Sequence, residues 1–479
     1  MGLKIAGEIE RVNGKDLSYS EFVERYLVKN QPVVLTGLMD GWRACKDWVL
    51  DNGRPNLRFF STHFGNSRVQ VADCSTREFT DQRRVEMSVS EFIDYWLEFS
   101  YKGFDGASTC GFDGKSPLYL KDWHFVKEYP DYLAYTTPLF FSDDWLNFYL
   151  DTFRMHTKPD IDQEKNEIAC SDYRFVYMGA KGTWTPLHAD VFRSYSWSAN
   201  VCGKKQWYFL SPIQCHLVHD RSMKHSVYDI FEDVSGVKFP GFDKAIWLEC
   251  TQEQDEIIFV PSGWYHQVHN LEDTISINHN WFNAYNLPFV WDLLLRDYKD
   301  AKEYIEDIKD ICDDFEGLCQ RNLAANTGMN FHDFFIFLVR FSLANSLQLS
   351  LLSRGYKNST WSSSRRVQHI VFNLKTVRDT AVKMKSMVLA GNCGVSIVLN
   401  ESLEDSTFLE LCTVLGRTYQ MLHEPYEFNI TTEVLLDDLL DLDLIESFSR
   451  VCSPEDLVRV IDQVLQSSVP LAAGNGSVR

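Results

Sequence analysis

The chain has 479 residues, too many for one ordinary hydrophobic core, and its 45% hydrophobic and 14% aromatic content excludes an intrinsically disordered protein. Lys and Arg total 47 against 67 Asp and Glu, a formal net charge of −20, which argues against a direct nucleic-acid partner because phosphate neutralisation needs a basic surface. Twelve cysteines without a Cys-x-x-Cys pair read as free thiols in a reducing compartment and leave no zinc ribbon to build.

Residues 1–115 read as a mixed α/β preamble. Ser18-Tyr19-Ser20-Glu21 is a capping-box pattern, and Phe22, Tyr26 and Leu27 follow it at helical spacing. Gln31 to Gly37 predicts a short strand. A second capping box, Ser88 to Glu91, opens a predicted helix whose Phe92, Trp96 and Phe99 share one face as core packing. The start of the chain, Met1 to Ala6, runs into Glu8 and Glu10 with no secretory apolar stretch, and Ala6 stands where myristoylation wants Ser or Thr. No run of eighteen consecutive apolar residues occurs, so no membrane partner is expected. The expected location is the cytoplasm, with the sequons at Asn358 and Asn429 unused.

From Tyr173 to Trp281 short apolar runs alternate with Gly, Pro and Asp turns, the pattern of a β-barrel or sandwich. Within it stand Thr185-Pro186-Leu187-His188-Ala189-Asp190 and Pro261-Ser262-Gly263-Trp264-Tyr265-His266. Chance placement alone yields roughly two His-x-acid triplets in such a chain, so the first motif means little by itself. On a strand, however, His188 and Asp190 point the same way, and a third donor from a neighbouring strand would give two imidazoles and a carboxylate. That set leaves coordination positions open and suits non-haem Fe(II). Residues 213–245 interrupt the strands with a segment long enough to predict a loop over the site.

After Leu287 the texture turns helical: Trp291 to Leu295, Phe331 to Leu349, Val367 to Leu389 and Thr432 to Phe448 carry apolar residues at 3–4 spacing. Ser353 to Arg366 predicts a flexible polar loop. Asp437, Asp438, Asp441, Asp443 and Glu446 predict a solvated acidic face, and 472–479 a disordered tail. The helices offer a candidate homodimer surface. No internal repeat is present.

Between about residues 115 and 285, the motifs T-x-x-H-x-D (Thr185 to Asp190), G-x-K-x-W (Gly203 to Trp207) and P-S-G-W-x-H (Pro261 to His266), followed by Asn280-Trp281, resemble the JmjC family of 2-oxoglutarate oxygenases. The resemblance implies an α+β chain: a double-stranded β-helix of jelly-roll type at 116–286, an N-terminal extension at 1–115 buttressing it, and a C-terminal helical region at 287–471. It implies His188, Asp190 and His266 as Fe(II) ligands, because the family's second histidine follows the P-S-G-W turn. His269 and His279 would then be supporting or surface residues. It also implies 2-oxoglutarate and O2 as cosubstrates. Lys205 would anchor the distal carboxylate with Thr185 and Tyr119, Lys204 would stay exposed, and Asn280 would stand near the C1 carboxylate. Relatives often place another asparagine between the motifs. Here Ser196 or Ser198 falls near that position, and a serine can still donate one hydrogen bond there. The implied activity is carbon hydroxylation of a lysine in a protein substrate, the eukaryotic translation termination (release) factor. The alternatives are an N-methyl-lysine demethylase, or a non-catalytic binding module that would be expected to have lost a ligand.

Overall fold

The computed structural model describes residues 2–102, 116–153, 172–232, 234, 236–355, 364–384, 406–424 and 441–468. They fall into two compact units, one made of Met1–Pro138 and Asp172–Trp281, the other of Leu139–Ser171 and Phe282–Arg479.

The first unit is a two-sheet jelly roll. Its strands are β1 (Lys4–Glu8), β2 (Arg11–Asn13), β3 (Val33–Thr36), β4 (Arg68–Glu78), β5 (Asp81–Ser88), β6 (Leu118–Trp123), β7 (Arg174–Gly179), β8 (Trp184–His188), β9 (Tyr195–Cys202), β10 (Lys205–Leu210), β11 (Ile246–Gln252), β12 (Ile257–Val260), β13 (Tyr265–Asn270) and β14 (Thr274–Trp281). One sheet has the order β1-β11-β10-β13-β8, the other β2-β3-β12-β9-β14-β7-β6-β4-β5. The N-terminal extension does not stand apart. Its β3 pairs antiparallel with β12, setting Val33 opposite Phe259, and β1 runs parallel to β11. This covers two sheet edges that would otherwise expose unpaired backbone groups.

Local chemistry accounts for these elements. The Ser18–Glu21 capping box forms, and the helix Tyr19–Phe22 continues through a π turn over Val23–Leu27. Ser88 and Glu91 bond reciprocally at the start of the helix Val89–Lys102. The run Ile257-Ile258-Phe259-Val260 is buried on both faces, hence its unbroken apolar sequence. Gly203, at φ +77° in the β9–β10 turn, has no room for a side chain: a Cβ there would meet the Asp273 carbonyl oxygen at 2.1 Å. Between the sheets Val34, Trp207, Phe209, Cys250, Ile258, Val260 and Val268 pack as one apolar cluster.

Residues 213–245 differ from expectation. Instead of overhanging the site, Val218, Val227, Ile230 and Phe239 pack on Leu187, Leu210, Trp247 and Tyr265. Leu187 and Tyr265 alternate with His188 and His266 along their strands, so the segment covers the outer side of the strands that carry the motifs. Its apolar residues lack strand or helix period, which is why the sequence reads as loop.

The second unit is helical, with Trp145–Thr152, Leu287–Tyr304, Phe315–Thr327, Phe331–Gly355, Arg365–Met384, Ser406–His423, Leu442–Ser449 and Pro454–Ser468. The helix Phe331–Gly355 is long and apolar enough to cross a membrane by length and composition. Within this unit it is a buried core helix: Trp145 stacks on Phe341 at 4.6 Å, Arg340 donates to the Tyr149 hydroxyl at 2.6 Å, and Gln348 to the Cys412 carbonyl at 2.8 Å. Asn358, Asn429, Asp437, Asp438, the greater part of the predicted Ser353–Arg366 loop, the ends of two predicted helices and the 472–479 tail lie outside the described residues.

Candidate active site

Three neighbouring strands of one sheet, β8, β13 and β10, bring the motifs together. β13 lies between β8 and β10, and its register sets His266 opposite His188 on one side and opposite Phe209 on the other. Directly opposed residues of an antiparallel pair share a face, so His188 and His266 both point into the barrel. Their rings lie 4.3 Å apart, and donor atoms of His188, Asp190 and His266 all fall within 4.8 Å of one another. One metal ion can be held by all three.

Each donor is oriented by a specific partner. Nδ1 of His188 lies 2.8 Å from the Pro186 carbonyl and Nδ1 of His266 3.2 Å from the Trp264 carbonyl. A carbonyl only accepts, so both Nδ1 atoms carry the proton and both Nε2 lone pairs remain for a metal. The Ser196 hydroxyl donates to Asp190 Oδ2 at 2.7 Å, leaving the other oxygen for coordination. Burial, reinforced by His188, pushes the His266 imidazole down to about 4, so it is neutral at physiological pH, as a ligand must be. Immediately past Asp190, Phe192 and Arg193 both adopt left-handed backbone, at φ +54° and +51°. Two consecutive non-glycine residues in that region mark a strained turn beside the site.

Further along the same interior stands Lys205, 2% exposed. Its Nζ donates to the Ser276 hydroxyl at 2.7 Å and lies 3.4 Å from the Tyr119 hydroxyl. Among the described residues no carboxylate pairs with it, and burial pushes the ammonium down to about 7. A buried cation facing neutral partners is costly unless an anion joins it. Around it β9 and β14 present polar residues in register, Ser196 opposite Asn280, Ser198 opposite Asn278 and Asn200 opposite Ser276. Among the described residues the buried Ser198 hydroxyl and Asn270 Oδ1 find no hydrogen-bond partner. The chamber therefore holds a cation, unused polar atoms and a metal-type donor cluster, which fits a small dicarboxylate that also chelates a metal.

The residues expected from sequence are placed as follows. Thr185 lies opposite Val268, on the inner face. The Asn280 amide donates to the Ser194 hydroxyl at 3.2 Å. Of the two candidate serines, Ser196 is engaged with Asp190 and Ser198 retains the unused hydroxyl. Lys204 pairs with Glu253 at 3.0 Å at the surface. His269 faces outward and stacks flat on Trp184 at 5.6 Å. His279 is not a surface residue: it is buried, bonded to the Tyr135 hydroxyl and packed 4.1 Å from Trp197, and burial holds it far below its usual range.

Sequence reasoning missed Ser276, Asn278 and Asn270, although the alternation in Thr274-Ile275-Ser276-Ile277-Asn278-His279-Asn280-Trp281 signals a polar inner face. It also missed Lys121, a second buried lysine in an apolar strand, held by Gln82 at 2.8 Å and pushed down to about 8 by burial and Arg84.

A family model described as a cupin-like domain matches residues 19–286. An arginine-specific demethylase, JMJ20 of Arabidopsis thaliana, is 59% identical over 463 residues, covering 96% of this chain and 97% of that protein. The 2-oxoglutarate and iron-dependent oxygenase JMJD4 of Danio rerio is 40% identical over 349 residues, 72% of this chain and 76% of that protein. Its Homo sapiens counterpart is 37% identical over 331 residues, 67% and 72% respectively.

Proposed function

Because the chain belongs to the cupin-like JmjC family of iron- and 2-oxoglutarate-dependent oxygenases, we propose that it hydroxylates a carbon of a lysine side chain in a protein substrate. The observation that carries the site assignment is Lys205, a buried amine with no counter-charge among the described residues, in the same chamber as the three clustered donors. In this reading His188, Asp190 and His266 hold Fe(II). Lys205, with Tyr119 and Ser276, binds the distal carboxylate of 2-oxoglutarate, and Thr185, Ser198 and Asn280 line the remainder of the keto acid.

The bound iron, with 2-oxoglutarate and O2, supplies the oxidising chemistry that places one oxygen atom in a C–H bond while the keto acid leaves as succinate and carbon dioxide. The protein contributes geometry and exclusion of water. The Pro186 and Trp264 carbonyls fix the two imidazoles, Ser196 fixes the aspartate, and the apolar wall of Trp207, Phe209, Ile258 and Val260 dries the interior. No side chain acts as nucleophile.

The substrate that the resemblance suggests, a lysine-bearing segment of the translation termination factor, suits a chain of net charge −20 and would be met in the cytoplasm. A second reading, demethylation of N-methyl-arginine, is favoured by the 59% identical relative being named an arginine-specific demethylase. Both begin with the same C–H hydroxylation and differ in whether the hydroxylated carbon is then lost as formaldehyde. Mass spectrometry separates them: recombinant termination factor should gain about 16 Da on a lysine, whereas loss of about 14 Da from a methyl-arginine peptide, with the termination factor unmodified, would replace the first reading by the second. His188→Ala and Asp190→Ala should abolish succinate formation and leave the fold intact.

A further inference from the structure

The three clustered donors are not held alike. The orienting partners of His188 and Asp190 come from within residues 186–196, whereas His266 depends on the Trp264 carbonyl, part of the tight turn Pro261–Trp264, at the longest of the three distances. That turn is gripped from outside the strands that bear the ligands. Asn30 Nδ2 donates to the Ser262 carbonyl at 2.8 Å, and the Ser262 N–H donates back to Asn30 Oδ1 at 2.9 Å. The indole N–H of Trp264 donates to the Asn30 carbonyl at 2.8 Å. One residue of the N-terminal extension thus makes three hydrogen bonds to a turn 232 to 234 positions away.

The conformation of Asn30 is specific to this task. It sits at φ +52°, ending the helical segment that runs through Leu27 and turning the chain into β3. Asparagine tolerates the left-handed region better than other residues with a side chain. Because β3 is in register with β12, Val33 opposite Phe259, the residue three before Val33 arrives level with the turn that follows Val260. Ser262 is fully buried, so the two hydrogen bonds it exchanges with Asn30 are made away from water, where losing them is costly.

We infer that Asn30 is a positioning residue for the metal ligand His266: it fixes the Ser262–Trp264 peptides, whose Trp264 carbonyl sets the tautomer and rotation of the imidazole. Freeing the turn lets the Trp264 carbonyl swing, the Nδ1 bond lengthen and the Nε2 lone pair leave the point shared with His188 and Asp190. Loss of such an outer partner typically weakens metal binding by about 10–100-fold. The inference rests on His266 being a ligand.

The test uses the full-length protein and Co(II) as the metal probe, read by its visible d–d bands, with no substrate required. Asn30→Gly keeps the left-handed backbone and removes only the amide. Asn30→Asp keeps the acceptor, loses the donor, and serves if the glycine variant is too unstable. Tyr26→Phe, which removes a hydrogen bond to Glu10 from the same helical segment, is the control for general loosening. Co(II) binding should weaken about tenfold or more in Asn30→Gly or Asn30→Asp, with altered bands, while 2-oxoglutarate affinity at saturating Co(II) and Co(II) binding by Tyr26→Phe stay native. Native Co(II) affinity and bands in the Asn30 variants would overturn the inference, and so would equal weakening in Tyr26→Phe. His266→Ala is read in parallel. If it retains native Co(II) bands, the ligand assignment itself fails, an outcome separate from either result at Asn30.

Discussion

Replacing Lys205 by methionine should make the empty protein more stable and the enzyme useless. The side chain is enclosed, its partners are the Ser276 and Tyr119 hydroxyls, and burial drops its ammonium from 10.5 to about 7. A group whose folded value lies below its unfolded value destabilises the fold as pH falls from the upper value, and the full cost is present below the lower one. Each pH unit in that interval is worth about 1.4 kcal/mol, so at pH 7.5 the burden is about 4 kcal/mol, an upper estimate because the site can relax or admit water. Methionine has similar volume and no charge, and Ser276 keeps the Asn278 amide as a partner at 3.1 Å. Unliganded Lys205→Met should therefore be stabilised by roughly 2–4 kcal/mol at pH 7.5, with the gain fading as pH approaches about 10. Its 2-oxoglutarate affinity should fall by roughly 30-fold or more, since losing one partner of a buried charge pair costs about 2–5 kcal/mol. On the proposed assignment 2-oxoglutarate would restore a counter-charge to native Lys205 and bind together with a proton, so above about pH 7 its Kd should rise about tenfold per pH unit. Thermal unfolding and 2-oxoglutarate titration across pH 6.5–10 measure all of this. A methionine variant that binds 2-oxoglutarate within about threefold of native, or that is less stable when unliganded at pH 7.5, would refute the reasoning.

Ser196→Ala should weaken metal binding by about 10–100-fold, because one hydrogen bond to a charged oxygen is worth about 1.5–3 kcal/mol, with 2-oxoglutarate affinity at saturating metal unchanged. Titration of the two ligands separately checks this. Gly203→Ala should destabilise by about 3 kcal/mol or more, because it adds a 2.1 Å clash with the Asp273 carbonyl to the left-handed strain, whereas Gly182→Ala, at φ +89° with nothing within 4 Å, should lose only about 1 kcal/mol; denaturant unfolding compares them.

Much of the site was legible in one dimension because it is written on strands. The two-residue period of extended chain pairs His188, the last residue of β8, with Asp190 two positions beyond it, and puts Lys205, Trp207 and Phe209 on one face, before any contact is known. The same period separated His266 from His269, which the structure turns outward onto Trp184. His279 shows the limit. Its face follows from alternation, but that this outer face is itself buried under Trp197 and Tyr135 depends on residues packed from elsewhere in the chain.

The sequence by itself therefore determined the chemistry on offer: which side chains share a strand face, the turns that glycine and proline impose, and an acidic, aromatic-rich globular chain. The tertiary structure decided what local pattern cannot carry. Register across β8, β13 and β10 put His266 level with His188, the packing of 213–245 placed that segment behind the motif strands, and β3 beside β12 brought Asn30 to Ser262. The physical reason is range. Alternation and capping act over a few residues, whereas strand pairing and burial join positions separated by tens to hundreds, and nothing in the neighbourhood of Asn30 announces the turn it holds.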